Sequence, residues 1–115
     1  MSTEPEVASF LKNFKEKMSF WNVYFRDDRG KNTQTLLNLE IRPIERKAVL
    51  EKLETKDYSE GPLEDKLYGA NEMWVFGKTV KKKEVYIKIS MGTKGNRVIC
   101  ISFHLAQHKM HYPLK

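Results

Sequence analysis

This sequence has one cysteine, Cys100, so no internal disulfide can form. A lone thiol in mid-strand context fits a reducing cytoplasm and reads as a packed strand residue, not a nucleophile. No apolar run approaches the length of a membrane span. The opening Met1-Ser2-Thr3-Glu4-Pro5-Glu6 is acidic and has no apolar core, which is not the pattern of a secretory signal. Glycines are scattered, and no Gly-rich phosphate loop, nucleophile elbow or CxxC pair is present, so no cofactor is expected. Acidic residues are scarce in one region only. Residues 73–115 hold nine Lys/Arg and a single Glu, a net of +8, whereas residues 1–72 carry a net of −2. A concentrated positive field of this kind attracts polyanions, of which RNA is the expected one. Within it, Lys81-Lys82-Lys83 taken alone reads as a solvated hairpin.

At 115 residues the chain is expected to be one domain, spanning 1–115, with a single core. Val7, Phe10, Leu11, Phe14 and Met18 recur at three- and four-residue spacing, which predicts an amphipathic helix. Thr3-x-x-Glu6 is a capping box at its start. Phe20–Phe25 is aromatic and β-branched and predicts a strand. Asp27–Asn32 has turn chemistry, and its paired aspartates next to Arg and Gly read as a turn, not a metal site. Thr33–Leu39 predicts a short helix, and Pro43 opens a second, with Ile44, Ala48, Leu50 and Leu53 inward. Asp57–Pro62 predicts a break into a loop running to about Asn71. Met73–Phe76 predicts a strand, with Gly77 and Lys78 near its end.

Glu84–Met91 and Arg97–His104 both alternate polar and apolar residues around the turn-rich Gly92–Asn96, which predicts a hairpin. Matching apolar residues pairs Ile89 with Ile99, Ile87 with Ile101 and Val85 with Phe103. The same register sets Glu84 beside His104, Tyr86 beside Ser102 and Lys88 beside Cys100, so that a tyrosine, a lysine and a histidine share an open sheet face. The tail after His104 is expected to be irregular. The order helix, strand, helix, helix, three strands is an α+β layer arrangement with helices on one sheet face.

Over about residues 20 to 104 the chain resembles the MqsR-type toxins of bacterial type II toxin–antitoxin systems, within the RelE-like group of mRNA-cleaving endoribonucleases. The likeness is carried by Trp21–Phe25, Thr35-Leu36-Leu37-Asn38, Leu53 with Asp57-Tyr58, Met73-Trp74, Glu84-Val85-Tyr86-Ile87-Lys88-Ile89 and Val98–Phe103. The resemblance implies a RelE-like fold and a catalytic role for Tyr86, with Lys88 at the family spacing. A family lysine after the last strand's Ser-Phe is His104 here. A family glutamine after the strand tryptophan is Val75. For the family's loop lysine, Lys66 is the nearest candidate, and Glu60 sits closer to the aligned position.

Such an enzyme needs a base for the ribose 2′-OH, a cation for the phosphorane and an acid for the leaving 5′-oxygen. Histidine can serve as acid or base near neutral pH, and lysine supplies electrostatic stabilisation. The expected catalytic group is therefore His104, Tyr86 and Lys88. Lys78 and Lys66 are expected to hold RNA phosphate, and Trp74 or Tyr68 to stack on a base. Each has an ordinary alternative, as a core tryptophan or a solvated histidine. His104, His108 and His111 have spacing compatible with zinc, but Pro113 and the absence of a nearby carboxylate or thiol argue against it. The resemblance implies mRNA and a cognate antitoxin, with a DNA-binding domain, as partners, and no membrane. The alternative reading is a non-catalytic basic module that binds RNA or a protein.

Overall fold

Thr3 caps the first helix as its spacing demands. The Glu6 backbone N–H donates to Thr3 Oγ1, and the Thr3 N–H donates to Glu6 Oε1 at 2.9 Å, which closes the capping box of α1 (Glu4–Trp21). That pairing holds the Glu6 carboxyl below its ordinary range. The computed structural model describes residues 2–26, 31–64 and 72–115. After α1 come β1 (Val23–Phe25), α2 (Lys31–Leu39), α3 (Glu45–Glu51), a short 3-10 turn (Thr55–Asp57), β2 (Tyr58–Leu63), β3 (Met73–Val80), β4 (Lys83–Ser90) and β5 (Val98–Leu105). The fold is α+β, with an N-terminal helix and one five-stranded mixed sheet ordered β1-β5-β4-β3-β2. β1 runs parallel to β5, and the remaining pairs are antiparallel.

The core lies between one sheet face and the apolar stripe of α1. Val7, Phe10, Leu11, Phe14 and Met18 are buried against a cluster that includes Phe76, Ile87, Ile89, Val98, Cys100 and Phe103. Two lysines of α1 reinforce that packing. Lys15 Nζ donates to the Leu53 carbonyl at 2.6 Å, and Lys17 Nζ donates to the carbonyls of Met91 and Thr93.

The hairpin is present, but its register differs from the one that matches apolar residues. Tyr86 pairs with His104, Ile87 with Phe103 and Lys88 with Ser102, whereas Ile89 pairs with Cys100. Ile101 is the extra residue, a bulge that reverses which face β5 presents to the core. Below it, Val98 and Cys100 point inward and Ile99 does not; above it, Phe103 points inward and His104 outward. Cys100 is therefore a core residue and not a neighbour of Lys88 on the outer face.

Three further boundaries differ. α1 continues through Phe20 and Trp21, so only Val23–Phe25 is strand; Asn22 ends the helix with a φ of 71°. Tyr58–Leu63 is an edge strand instead of a loop, because the Tyr58 ring fills the core beside Trp74 and Phe76. The Tyr58 hydroxyl donates to the Gly61 carbonyl at 2.6 Å and accepts the Ser2 N–H at 3.1 Å, which satisfies both of its roles. β3 extends to Val80 and turns tightly through Lys81 and Lys82, both at positive φ. The expected turn Asp27–Gly30 lies outside the described residues.

The bulged register makes a direct prediction. The Cys100 thiol, fully buried, is expected to react with an aromatic disulfide reagent only as the chain opens, and at once in denaturant. Rapid labelling of the native protein would place Cys100 on the outer face and contradict this pairing.

Candidate active site

The outer sheet face is assembled from alternate residues of four strands. Val75 and Gly77 of β3 face Lys88 and Tyr86 of β4, which in turn face Ser102 and His104 of β5. On β2, Glu60 is paired with Val75. Beyond β1, the edge of β5 is held by α2. The backbone N–H of Phe103 donates to Asn32 Oδ1, and that of Leu105 donates to Thr35 Oγ1, each at 3.0 Å. These bonds take up strand donors that no neighbouring strand meets, and they lock the segment that carries His104.

Tyr86 and His104 lie ring on ring, with centroids 5.0 Å apart and planes 12° from parallel. His104 Nδ1 lies 2.9 Å from the Leu105 carbonyl. A carbonyl only accepts, so Nδ1 carries the proton and Nε2 is the nitrogen left for chemistry. Lys88 Nζ stands 5.9 Å from the centre of the Tyr86 ring. Burial raises the Tyr86 phenol above its ordinary range, and the charge of Glu60 adds to the shift. At neutral pH this phenol is a hydrogen-bond donor and not a base.

This face is not open. The tail after β5 is irregular, as expected, but it crosses the sheet. The Tyr112 hydroxyl donates to Glu84 Oε2 at 2.6 Å, and its ring lies over Gly77, where any Cβ would collide with it. Between tail and sheet is a cleft of about 560 Å³. Glu60, Tyr86, Lys88 and His104 are on its sheet side, and His108, Lys109 and His111 are contributed by the tail. Two lysines and three histidines against one carboxylate make a site suited to an anion. The three histidines share the cleft, yet among the described residues no three His, Cys, Asp or Glu gather closely enough to hold a metal ion.

The other expected site residues lie elsewhere. Trp74 is only 9% exposed and stacks on Phe10 at 4.5 Å, so it is a core residue and not a platform for a base. Lys78 donates to Asp57 Oδ2 at 2.9 Å and lines a separate cleft of about 280 Å³ with Lys56 and Lys115. It is committed to an ion pair away from Tyr86. Lys66 and Tyr68 lie outside the described residues. Lys109 has no expected site role, Glu60 enters only as the residue nearest the family's loop-lysine position, and His108 and His111 enter only as zinc candidates set aside. A strand over Tyr58–Leu63 would have signalled Glu60, since it sets Glu60 on the outer face. The histidine spacing of the tail suggests a metal and not a fold back over the sheet.

No family model, no curated protein and no solved structure matches this chain. The chemistry of the cleft therefore rests on its own residues.

The tail contact sets a pH dependence. Burial, the hydrogen bond from Tyr112 to Glu84, and the charges of Glu84 and Asp57 raise the Tyr112 phenol far above its usual value. A phenol raised in the folded state favours folding fully below the unfolded pKa of about 10, and that contribution is lost as pH rises further. Thermal unfolding is expected to show a fall in stability above about pH 10. Tyr112→Phe is expected to make that fall shallower, with Tyr86 supplying what remains. An identical alkaline fall in the variant would show that Tyr112 is not held this way.

Proposed function

We propose that this chain is the toxin of a toxin–antitoxin pair, a metal-independent endoribonuclease on a RelE-like fold that cleaves mRNA. The observation that carries the reading is the stacked Tyr86–His104 pair inside a cationic cleft. His104 Nε2 takes the proton of a ribose 2′-OH. The 2′-oxygen attacks phosphorus, the bond to the 5′-oxygen breaks, and an imidazolium on the tail side, His108 or His111, protonates that oxygen. The products are a 2′,3′-cyclic phosphate and a 5′-OH. Lys88 and Lys109 neutralise the phosphorane, and the Tyr86 hydroxyl donates to one of its oxygens. Leu105 fixes the tautomer of His104 through its carbonyl. The antitoxin would cover the basic face that holds this cleft.

A second reading, a basic RNA-binding module without catalysis, draws on two observations. Val75, at the family's glutamine position, is apolar and fully buried, and Glu60 puts a negative charge where the family has a loop lysine. Salt-sensitive binding without cleavage is its signature.

Purified protein incubated with RNA and a chelator is expected to release cyclic-phosphate ends. His104→Ala should slow this by about 10²–10⁴-fold and Tyr86→Phe by about 10²-fold. RNA left intact by the wild type, or cleaved equally by His104→Ala, would overturn the nuclease reading. Glu60→Lys is expected to tighten RNA binding, by about tenfold if one new phosphate contact forms, as read by fluorescence anisotropy. Unchanged affinity in that variant would mean that the phosphate does not lie beside position 60.

A further inference from the structure

The outer face continues beyond the cleft. Tyr24 pairs with Ile99, while its neighbours Val23 and Phe25 pair with Val98 and Cys100, which face the core. Tyr24 therefore shares the face that carries Tyr86 and His104. It is 45% exposed, and the guanidinium of Arg97 lies 5.0 Å from the centre of its ring. From this aromatic–cation pair to the cleft, β5 offers Ile99 beside Tyr24 and then Ser102 and His104 at the cleft wall, all of which retain solvent access. At about 3.3 Å per residue, the distance along β5 from His104 to Ile99 is at most about 16 Å, the reach of a few nucleotides.

The composition of the pair points to its ligand. An exposed tyrosine supplies a flat π-face that any base can use, and an arginine over a tyrosine can meet a phosphate or extend the stack. Lys94, in the adjoining β4–β5 loop, is exposed and adds positive charge at the same end of the sheet. A buried aromatic in this place would be core, but Tyr24 is not buried and is set apart from the α1 stripe by the sheet itself. Single-stranded nucleic acid matches this combination of stacking surface, cation and linear track.

We infer that Tyr24 and Arg97 form a second base-binding position for single-stranded RNA. The strand would run along β5, from the Tyr86–His104 cleft to the β1 edge of the sheet. This rests on the nuclease reading for the placement of the scissile phosphate. It adds that the enzyme requires an unpaired segment several nucleotides long, since a duplex cannot offer a base face to Tyr24.

The test uses 2′-O-methyl oligouridylates, which bind without being cut, in lengths of two and six nucleotides. Wild type is expected to bind the longer one more tightly. Tyr24→Ala is expected to lose about tenfold on the six-mer, and Tyr24→Phe to retain wild-type affinity because stacking needs no hydroxyl. Arg97→Ala is expected to reduce the slope of log K against log salt by about one. Six-mer binding by Tyr24→Ala equal to that of wild type, alongside wild-type cleavage of ordinary RNA, overturns this inference and leaves the nuclease reading standing. Failure of wild type to bind either oligomer or to cleave RNA overturns both.

Discussion

One extra residue in β5 decides where the chemistry sits. Without a bulge at Ile101, strict alternation would put Ile99, Ile101 and Phe103 on one side and Cys100, Ser102 and His104 on the other. The bulge lets Val98 and Cys100 enter the core from the lower half of the strand and Phe103 from the upper half. It also brings His104 level with Tyr86, one residue from where a regular continuation of the Ile89–Cys100 ladder would set it. A strand with an interrupted ladder needs another source of rigidity. Asn32 and Thr35 of α2 provide it by accepting the N–H groups of Phe103 and Leu105. Ring stacking, the tautomer of His104 and the position of Lys88 all follow from that anchored register.

Charge segregation does the rest. The basic C-terminal region forms β3, β4, β5 and the tail, so Lys88, Lys109 and the three histidines meet across one sheet face. The tail closes over that face through Tyr112, which occupies the space left by the missing side chain of Gly77 and hands its proton to a hydrogen bond with Glu84. The result is a half-enclosed cleft in place of an exposed plane. Enclosure raises the Tyr86 phenol, and Glu60 raises it further, which assigns that hydroxyl to donation. The same enclosure leaves Tyr24 and Arg97 outside, at the far end of the track.

Much of this architecture was legible in the residues. The Thr3–Glu6 box and the α1 stripe are local, and local signals survive folding. The hairpin was legible from its period of two, and so was the presence of Tyr86, Lys88 and His104 on one outer face. The bulge was not, because two interleaved apolar sets, Ile99/Ile101/Phe103 and Val98/Cys100, each satisfy alternation over part of β5. β2 was hidden because Gly61 and Pro62 carry turn chemistry, although Tyr58 is a core residue that pulls the segment into the sheet. Phe20 and Trp21 have strand propensity, yet the helix runs on through them and leaves both exposed. Trp74 is expected to stack on a base, with the core as its ordinary alternative, and its stack on Phe10 settles it as core. The docking of the tail has no local signal, since it depends on a glycine more than thirty positions away.

The site depends on the face-to-face approach of two rings. In solution this is read most directly by nuclear Overhauser effects between the aromatic protons of Tyr86 and the imidazole protons of His104. Strong cross-peaks between the two rings are the expected result. Their absence, with the His104 ring instead showing contacts to the Glu84 side chain, would restore the regular register and contradict the site described above.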